Sequence, residues 1–122
     1  IGFFAMHYTA GLILSVVFQL AHIVPQTDMP LPDKEGNLSH TWAIHQLYTT
    51  SNFAPNNKFI SFFTGGLHHQ VEHHIFPHIS QIAKIVKETT DEFSLPYYEY
   101  KTMTKALLAH FNHLKNLGIN PA

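Results

Sequence analysis

The sequence predicts an all-α chain: one integral membrane helix, then a histidine-bearing segment on the cytoplasmic side and two amphipathic helices that cap it. Three observations carry this reading. Residues 1 to 27 contain no Asp, Glu, Lys or Arg, and an uncharged, largely apolar stretch of that length spans a bilayer core, which takes about 20 helical residues. Histidine supplies 11 of the 122 residues, five of them packed between His68 and His78. Beyond that cluster, apolar residues recur at three- and four-residue steps, the signature of helices with one apolar face.

Composition narrows the function classes. A chain of 122 residues with 45% hydrophobic content is at most one domain and is not disordered. Seven Lys, no Arg and a net charge of −1 exclude the basic footprint of a nucleic-acid binder. The absence of Cys excludes disulfide scaffolds, thiolate catalysis and Cys-ligated metal sites.

Residues 1–25 (IGFFAMHYTAGLILSVVFQLAHIVP) form the membrane helix. The segment lacks the basic start and small-residue cleavage motif of a signal peptide and opens on an apolar residue without Met. It reads as a helix entered partway, so the chain is expected to be the C-terminal part of a longer protein. All seven Lys follow it, and the positive-inside tendency then places the rest of the chain in the cytoplasm. There the Asn37-Leu38-Ser39 sequon carries no meaning.

Residues 26–67 are read as loop and interfacial segment. Pro25, Pro30 and Pro32, with Asp28, Asp33 and Gly36, preclude further helix. Thr41 to Thr49 suits a short helix, and Asn52 to Lys58, with Pro55, breaks the chain again. The apolar run Phe59 to Leu67 is too short to span and reads as interfacial or as packing beneath the histidines. In residues 79–122, Ile79, Ile82, Ile85, Val86 and Phe93 mark one amphipathic helix, ended by Ser94-Leu95-Pro96. Met103, Leu107, Leu108, Phe111, Leu114 and Leu117 mark a second, with Gly118 placed as its C-terminal cap.

Residues 68–78 carry the chemistry. If the segment is helical up to Phe76, Gln70 and His74 share one face and His69 and His73 another, about 100° round. Pro77 ends the helix and puts His78 outside that geometry. Five histidines in such a run repel one another if protonated, and if neutral each needs partners for two nitrogens; a metal answers both problems. His7, His40, His110 and His113 are read as ordinary surface or satisfied core residues. His22 stands at the end of the span, where ionisable groups commonly face the protein interior.

Three functions accommodate these residues. His69-Gln70-Val71-Glu72-His73 fits H-x-x-E-H, in which two histidines bind zinc and the glutamate activates water. A non-enzymatic, membrane-anchored metal carrier or sensor would also use the cluster. The third rests on resemblance. Gln70-Val71-Glu72-His73-His74-Ile75-Phe76-Pro77 is similar to the third histidine box, Q-x-x-H-H, of membrane fatty acid desaturases of the front-end class. His22-Ile23-Val24-Pro25, Trp42-Ala43, Gln46, Thr49-Thr50-Ser51-Asn52-Phe53, Gly65-Gly66-Leu67, Lys84-Ile85-Val86 and Phe93-Ser94-Leu95-Pro96-Tyr97 resemble that family's C-terminal half.

The resemblance implies a partial desaturase fold and a membrane enzyme that uses a pair of iron ions, dioxygen and two external electrons to remove two hydrogens from an unactivated acyl chain. It assigns His73, His74 and His22 as metal ligands. Gln70 stands where other desaturases have His, which leaves open whether it contacts metal. His68 and His69 are extra and are expected around the ligands or on the surface, and Glu72 is expected to orient a ligand histidine by hydrogen bonding. Phe59, Ile60, Phe62, Phe63, Ile75 and Phe76 are candidates to line or support an acyl tunnel. Partners implied are a long-chain fatty acyl substrate carried on coenzyme A or a lipid, the bilayer itself, and an electron donor such as cytochrome b5 or ferredoxin. The family's two earlier boxes, H-x3–4-H and H-x2-H-H, have no suitable counterpart; His40 and His45 show the first spacing, but in a loop after the span. The di-iron site is therefore expected to be completed by residues outside this chain, and the chain alone to be inactive.

Overall fold

The computed structural model describes residues 1–77 and 82–119. Within them the elements run α1 (Gly2–His22), α2 (Trp42–Thr49), β1 (Ser51–Phe53), α3 (Lys58–Thr64), α4 (Gln70–Ile75), α5 (Ala83–Glu92), β2 (Tyr98–Tyr100) and α6 (Met103–Ile119). The chain is mainly helical, as the apolar periodicity predicts. The charge-free opening segment is a single helix of 21 residues, about 31 Å long at the helical rise, and it is long and apolar enough to cross a membrane. Its first 14 residues, Gly2–Ser15, are exposed, whereas Val17, Leu20 and Ala21 are buried, so the end that carries His22 packs against the rest of the chain.

Among the described residues, two apolar clusters hold the chain together. Val17 and Leu20 of α1 meet Phe53, Ala54 and Ala106, with Ile60, Leu67 and Tyr100 packed around them. Leu47 of α2, Val71 of α4 and Val86 of α5 form the second, joined by Ile75, Ile82, Leu95 and Tyr97. The two strands pair in parallel, with Ser51 beside Tyr98, Asn52 beside Glu99 and Phe53 beside Tyr100. Parallel pairing requires a long crossover, and α3, α4 and α5 all lie within it.

The strands depart from the sequence reading. Ser51–Phe53 falls where the sequence predicts a break, and three residues are too few to show a strand's alternation. All three are buried, so tertiary pairing and not local preference sets their conformation. Gly118 is a second correction. It lies inside α6, which runs on to Ile119, at a cost of about 1 kcal/mol relative to Ala, and does not cap the helix. The apolar faces of α5 and α6 are wider than the surface this chain covers: Val86, Ala106 and His110 are buried, but Ile85, Phe93, Leu108 and Phe111 are exposed. Ile79 lies outside the described residues.

One turn delivers the histidine segment. Asn57 caps α3 by accepting from the Phe59 and Ile60 amides at 3.1 and 3.2 Å. Gly65 and Gly66 then take left-handed φ values of +60° and +89°, where any other residue is strained, and turn the chain into His68.

Candidate metal centre

Helix α4 begins at Gln70, with His69 as its N-cap, and ends with Phe76 at the C-cap, where Pro77 forbids continuation. The predicted end is therefore found, but the start falls one residue later than a shared His69/His73 face requires. Gln70 and His74 do lie one turn apart on α4. His78 lies outside the described residues.

His74 meets His22 from the end of α1, with ring centroids 5.0 Å apart and planes inclined at 58°. Each ring is oriented through Nδ1. That of His22 lies 3.0 Å from the Thr49 carbonyl oxygen, and that of His74 lies 2.8 Å from Oε1 of Gln46. Both partners are acceptors, so in each ring Nδ1 carries the proton and donates. Among the described residues no hydrogen bond engages Nε2 of either ring, and a neutral imidazole with its proton on Nδ1 binds a metal through that nitrogen. Burial, followed by the neighbouring His22 and His73 rings, pushes the His74 pKa below its ordinary value and favours that neutral form. His73 is exposed and splays away, its ring 6.3 Å from that of His74 at 76°. Among the described residues, no three His, Asp or Glu side chains converge tightly enough to hold an ion by themselves.

Glu72 corrects an expectation. It is buried, but it orients no ligand histidine: Tyr97 OH donates to Oε1 at 2.6 Å and Asn52 Nδ2 to Oε2 at 2.9 Å. Its nearest imidazole nitrogen is Nδ1 of His69 at 3.8 Å, beyond hydrogen-bond range. The reason is the turn of α4, which points Glu72 inward toward β1 and Tyr97 while His73 faces out. Burial first, then the Glu72 carboxylate, holds the Tyr97 phenol well above its ordinary pKa, so it stays a donor.

His68, expected around the ligands or on the surface, is fully buried, which excludes the surface. Its Nδ1 lies 3.2 Å from Thr64 Oγ1. Burial, then the adjacent His69 ring, push its pKa down to about 4, with the Pro55 carbonyl opposing. The Phe53 ring lies 6.4 Å away, edge to face. His110 is the satisfied core residue the sequence indicates: Nδ1 donates to the Ile23 carbonyl at 2.6 Å, and Nε2 lies 2.9 Å from the Gln19 side chain.

Unpartnered polar atoms concentrate here. Among the described residues, the buried side-chain nitrogens and oxygens without a hydrogen bond are His45 Nδ1, His68 Nε2, His69 Nδ1 and both Gln70 amide atoms. Each costs about 1–3 kcal/mol if left unmet, and the atoms of Gln70 and His69 lie at the start of the helix that carries His73 and His74. His45 also lines a cavity of about 360 Å³ with His22, Met29, Pro30, Gln46 and Thr49. His40 stacks instead on Tyr48, so the H-x4-H spacing does not converge. Two imidazoles oriented through Nδ1, with unpartnered polar atoms at the start of the helix that carries one of them, fit an ion held by nitrogen ligands.

The family model of fatty acid desaturases matches residues 1–115. The chain belongs to the fatty acid desaturase family. Relatives within it include the sn-1 linoleoyl-lipid 6-desaturase of Synechocystis sp., 39% identical over 97% of this chain and 34% of that protein. The acyl-lipid (8-3)-desaturase of Physcomitrium patens is 40% identical over 94% of this chain and 25% of its own length. The Delta(5) fatty acid desaturase A of Dictyostelium discoideum is 32% identical over 98% and 28%. The chain thus spans about a third or less of the length of these desaturases. No solved structure matches it.

Gln46, Asn52 and Tyr97 all stand in segments that resemble desaturases, but spacing alone carries no sign of their contacts. Gln46 and His74 are brought together by the packing of α2 on α4, and Asn52 and Tyr97 by the parallel strand pair.

Proposed function

We propose that this chain forms part of a membrane desaturase in which His22, His73 and His74 supply ligands to a di-iron site completed by residues outside it. The observation that carries this reading is the pair His22 and His74, their rings 5.0 Å apart and each fixed through Nδ1, which leaves Nε2 of each as the nitrogen that would meet a metal. His73 offers a third imidazole on the outward side, so the neighbouring histidines of the box serve two ions and not one. Iron bound there would supply the oxidation, with dioxygen and two external electrons, that removes two hydrogens from an unactivated acyl chain.

The substrate is proposed to be a long-chain acyl group on a lipid, the class named for the Synechocystis and Physcomitrium relatives, with coenzyme A as the other carrier. A groove of about 420 Å³ between α1 and α3, lined by Leu12, Ile13, Val16, Phe59, Ile60 and Phe63, offers apolar contact for such a chain. Phe62 does not line it, and Ile75 packs in the second cluster instead. The donor of electrons is proposed to be cytochrome b5 or a ferredoxin, reaching the site from the cytoplasmic side, where the lysines that follow α1 lie.

The H-x-x-E-H reading finds no support in the geometry. His69 stands outside α4, and the Glu72 carboxylate is consumed by Tyr97 and Asn52 rather than turned toward a water. The test is expression of the complete protein in a host with a defined fatty acid profile, followed by chromatography of the acyl chains. A new unsaturated species that disappears in His74→Ala is the expected result. An unchanged profile with correctly inserted protein, across acyl chains of different length, would overturn the assignment.

A further inference from the structure

We infer that Asn52 and Tyr97 are positioning residues for the metal centre, acting through Glu72 to set the rotation of α4; this rests on the di-iron reading above. Helix α4 has six residues and no side-chain N-cap, far below the length at which a helix holds itself. Its orientation must be imposed from outside. Tyr97 OH donates to one Glu72 oxygen at 2.6 Å and Asn52 Nδ2 to the other at 2.9 Å. Asn52 Nδ2 also donates to Tyr97 OH at 2.9 Å, and Asn52 Oδ1 accepts from the Val71 amide at 2.9 Å.

The three side chains therefore form a closed ring in which both Glu72 oxygens, the Asn52 amide and the Tyr97 hydroxyl are all engaged. This completeness contrasts with the unpartnered atoms of Gln70 and His69, two and three positions before Glu72. The ring draws on β1, α4 and the segment leading into β2, so it locks α4 against the parallel strands. Glu72 immediately precedes His73 and His74, and a rotation of α4 by 10–20° is enough to spoil ligand geometry.

The experiment uses the complete protein in detergent or nanodiscs, with iron per protein followed during titration with a chelator, and thermal unfolding of the iron-free form recorded in parallel. Tyr97→Phe is expected to weaken iron retention by roughly 10–100-fold, the usual effect of losing a partner that orients a ligand, with the unfolding of the iron-free form little changed. Tyr100→Phe, on the neighbouring strand, is expected to retain iron like the wild type. The double variant Tyr97→Phe/Glu72→Gln is expected to lose no more than Glu72→Gln alone, because the residues act as one unit. Should Tyr97→Phe fail to accumulate, Glu72→Gln carries the same readout. Wild-type iron retention in a Tyr97→Phe protein of lowered thermal stability would make the ring a structural clamp only and overturn the inference. A wild type without iron would overturn the di-iron reading, and this inference with it.

Discussion

His22 and His74, from α1 and α4, bring their rings to 5.0 Å of each other, and each uses Nδ1 to hold a carbonyl-type oxygen. For His22 that oxygen belongs to the backbone of Thr49, and for His74 to the side chain of Gln46. One short helix, α2, thus orients both imidazoles at once, and the two partners differ in what mutation can reach.

Gln46 is the accessible one. Gln46→Leu removes the acceptor that fixes the His74 ring and is expected to lower iron affinity in the complete protein by roughly 10–100-fold. Gln46→Glu keeps an acceptor at the same reach and is expected to restore most of it. Competition with a chelator measures both. Equal affinity in Gln46→Leu and wild type would show that the ring needs no such partner.

Acid is expected to destabilise the protein through His68. Its pKa is pushed down from 6.5 to about 4 by burial, so the folded state keeps it neutral while the unfolded state takes up a proton. The contribution is present above pH 6.5 and is lost as pH falls from there through about 4. Thermal unfolding as a function of pH should show this decline, and His68→Gln should flatten it. An equally steep decline in the variant would assign the effect to other groups.

Phe53 joins β1 to the cluster that packs α1 against α6, and it is fully buried. Phe53→Ala is expected to cost about 3–5 kcal/mol, seen as loss of folded, protease-resistant protein. A change below about 1 kcal/mol would mean that the cluster collapses readily around the cavity.

Gly65 ends α3 at φ +60° with open space around its Cα. Gly65→Ala is therefore expected to cost about 1 kcal/mol through backbone conformation alone. A small fall in unfolding temperature without any change in iron retention would show this, whereas loss of iron would mean that the turn also aims the box.

Much of the architecture was legible in the sequence because it depends on long, periodic or uncharged runs. The span of α1, the stop at Pro77, the short helix over Trp42–Thr49 and the family itself all follow from local residues. The strands were not legible, since Ser51–Phe53 and Tyr98–Tyr100 are extended only because they meet each other. The same pairing hides the role of Asn52 and Tyr97, which reach Glu72 from positions remote in the chain. Glu72 was legible as a hydrogen-bonding residue, but its partners, Tyr97 and Asn52 in place of a ligand histidine, were not, and His68 was left open between the ligands' surroundings and the surface because only an apolar wall decides its burial. The spacing of His73 and His74 carried more, because adjacency on a helix dictates divergent directions whatever packs around them.

The most direct measurement is elemental analysis of iron bound per molecule of the complete protein, comparing wild type with His22→Ala, His74→Ala and, as a control on α6, His113→Ala. The expected result is paired iron in the wild type and in His113→Ala, with loss in both His22→Ala and His74→Ala while membrane insertion is retained. Undiminished iron in the His22→Ala and His74→Ala proteins would contradict the central claim that these two rings hold the metal.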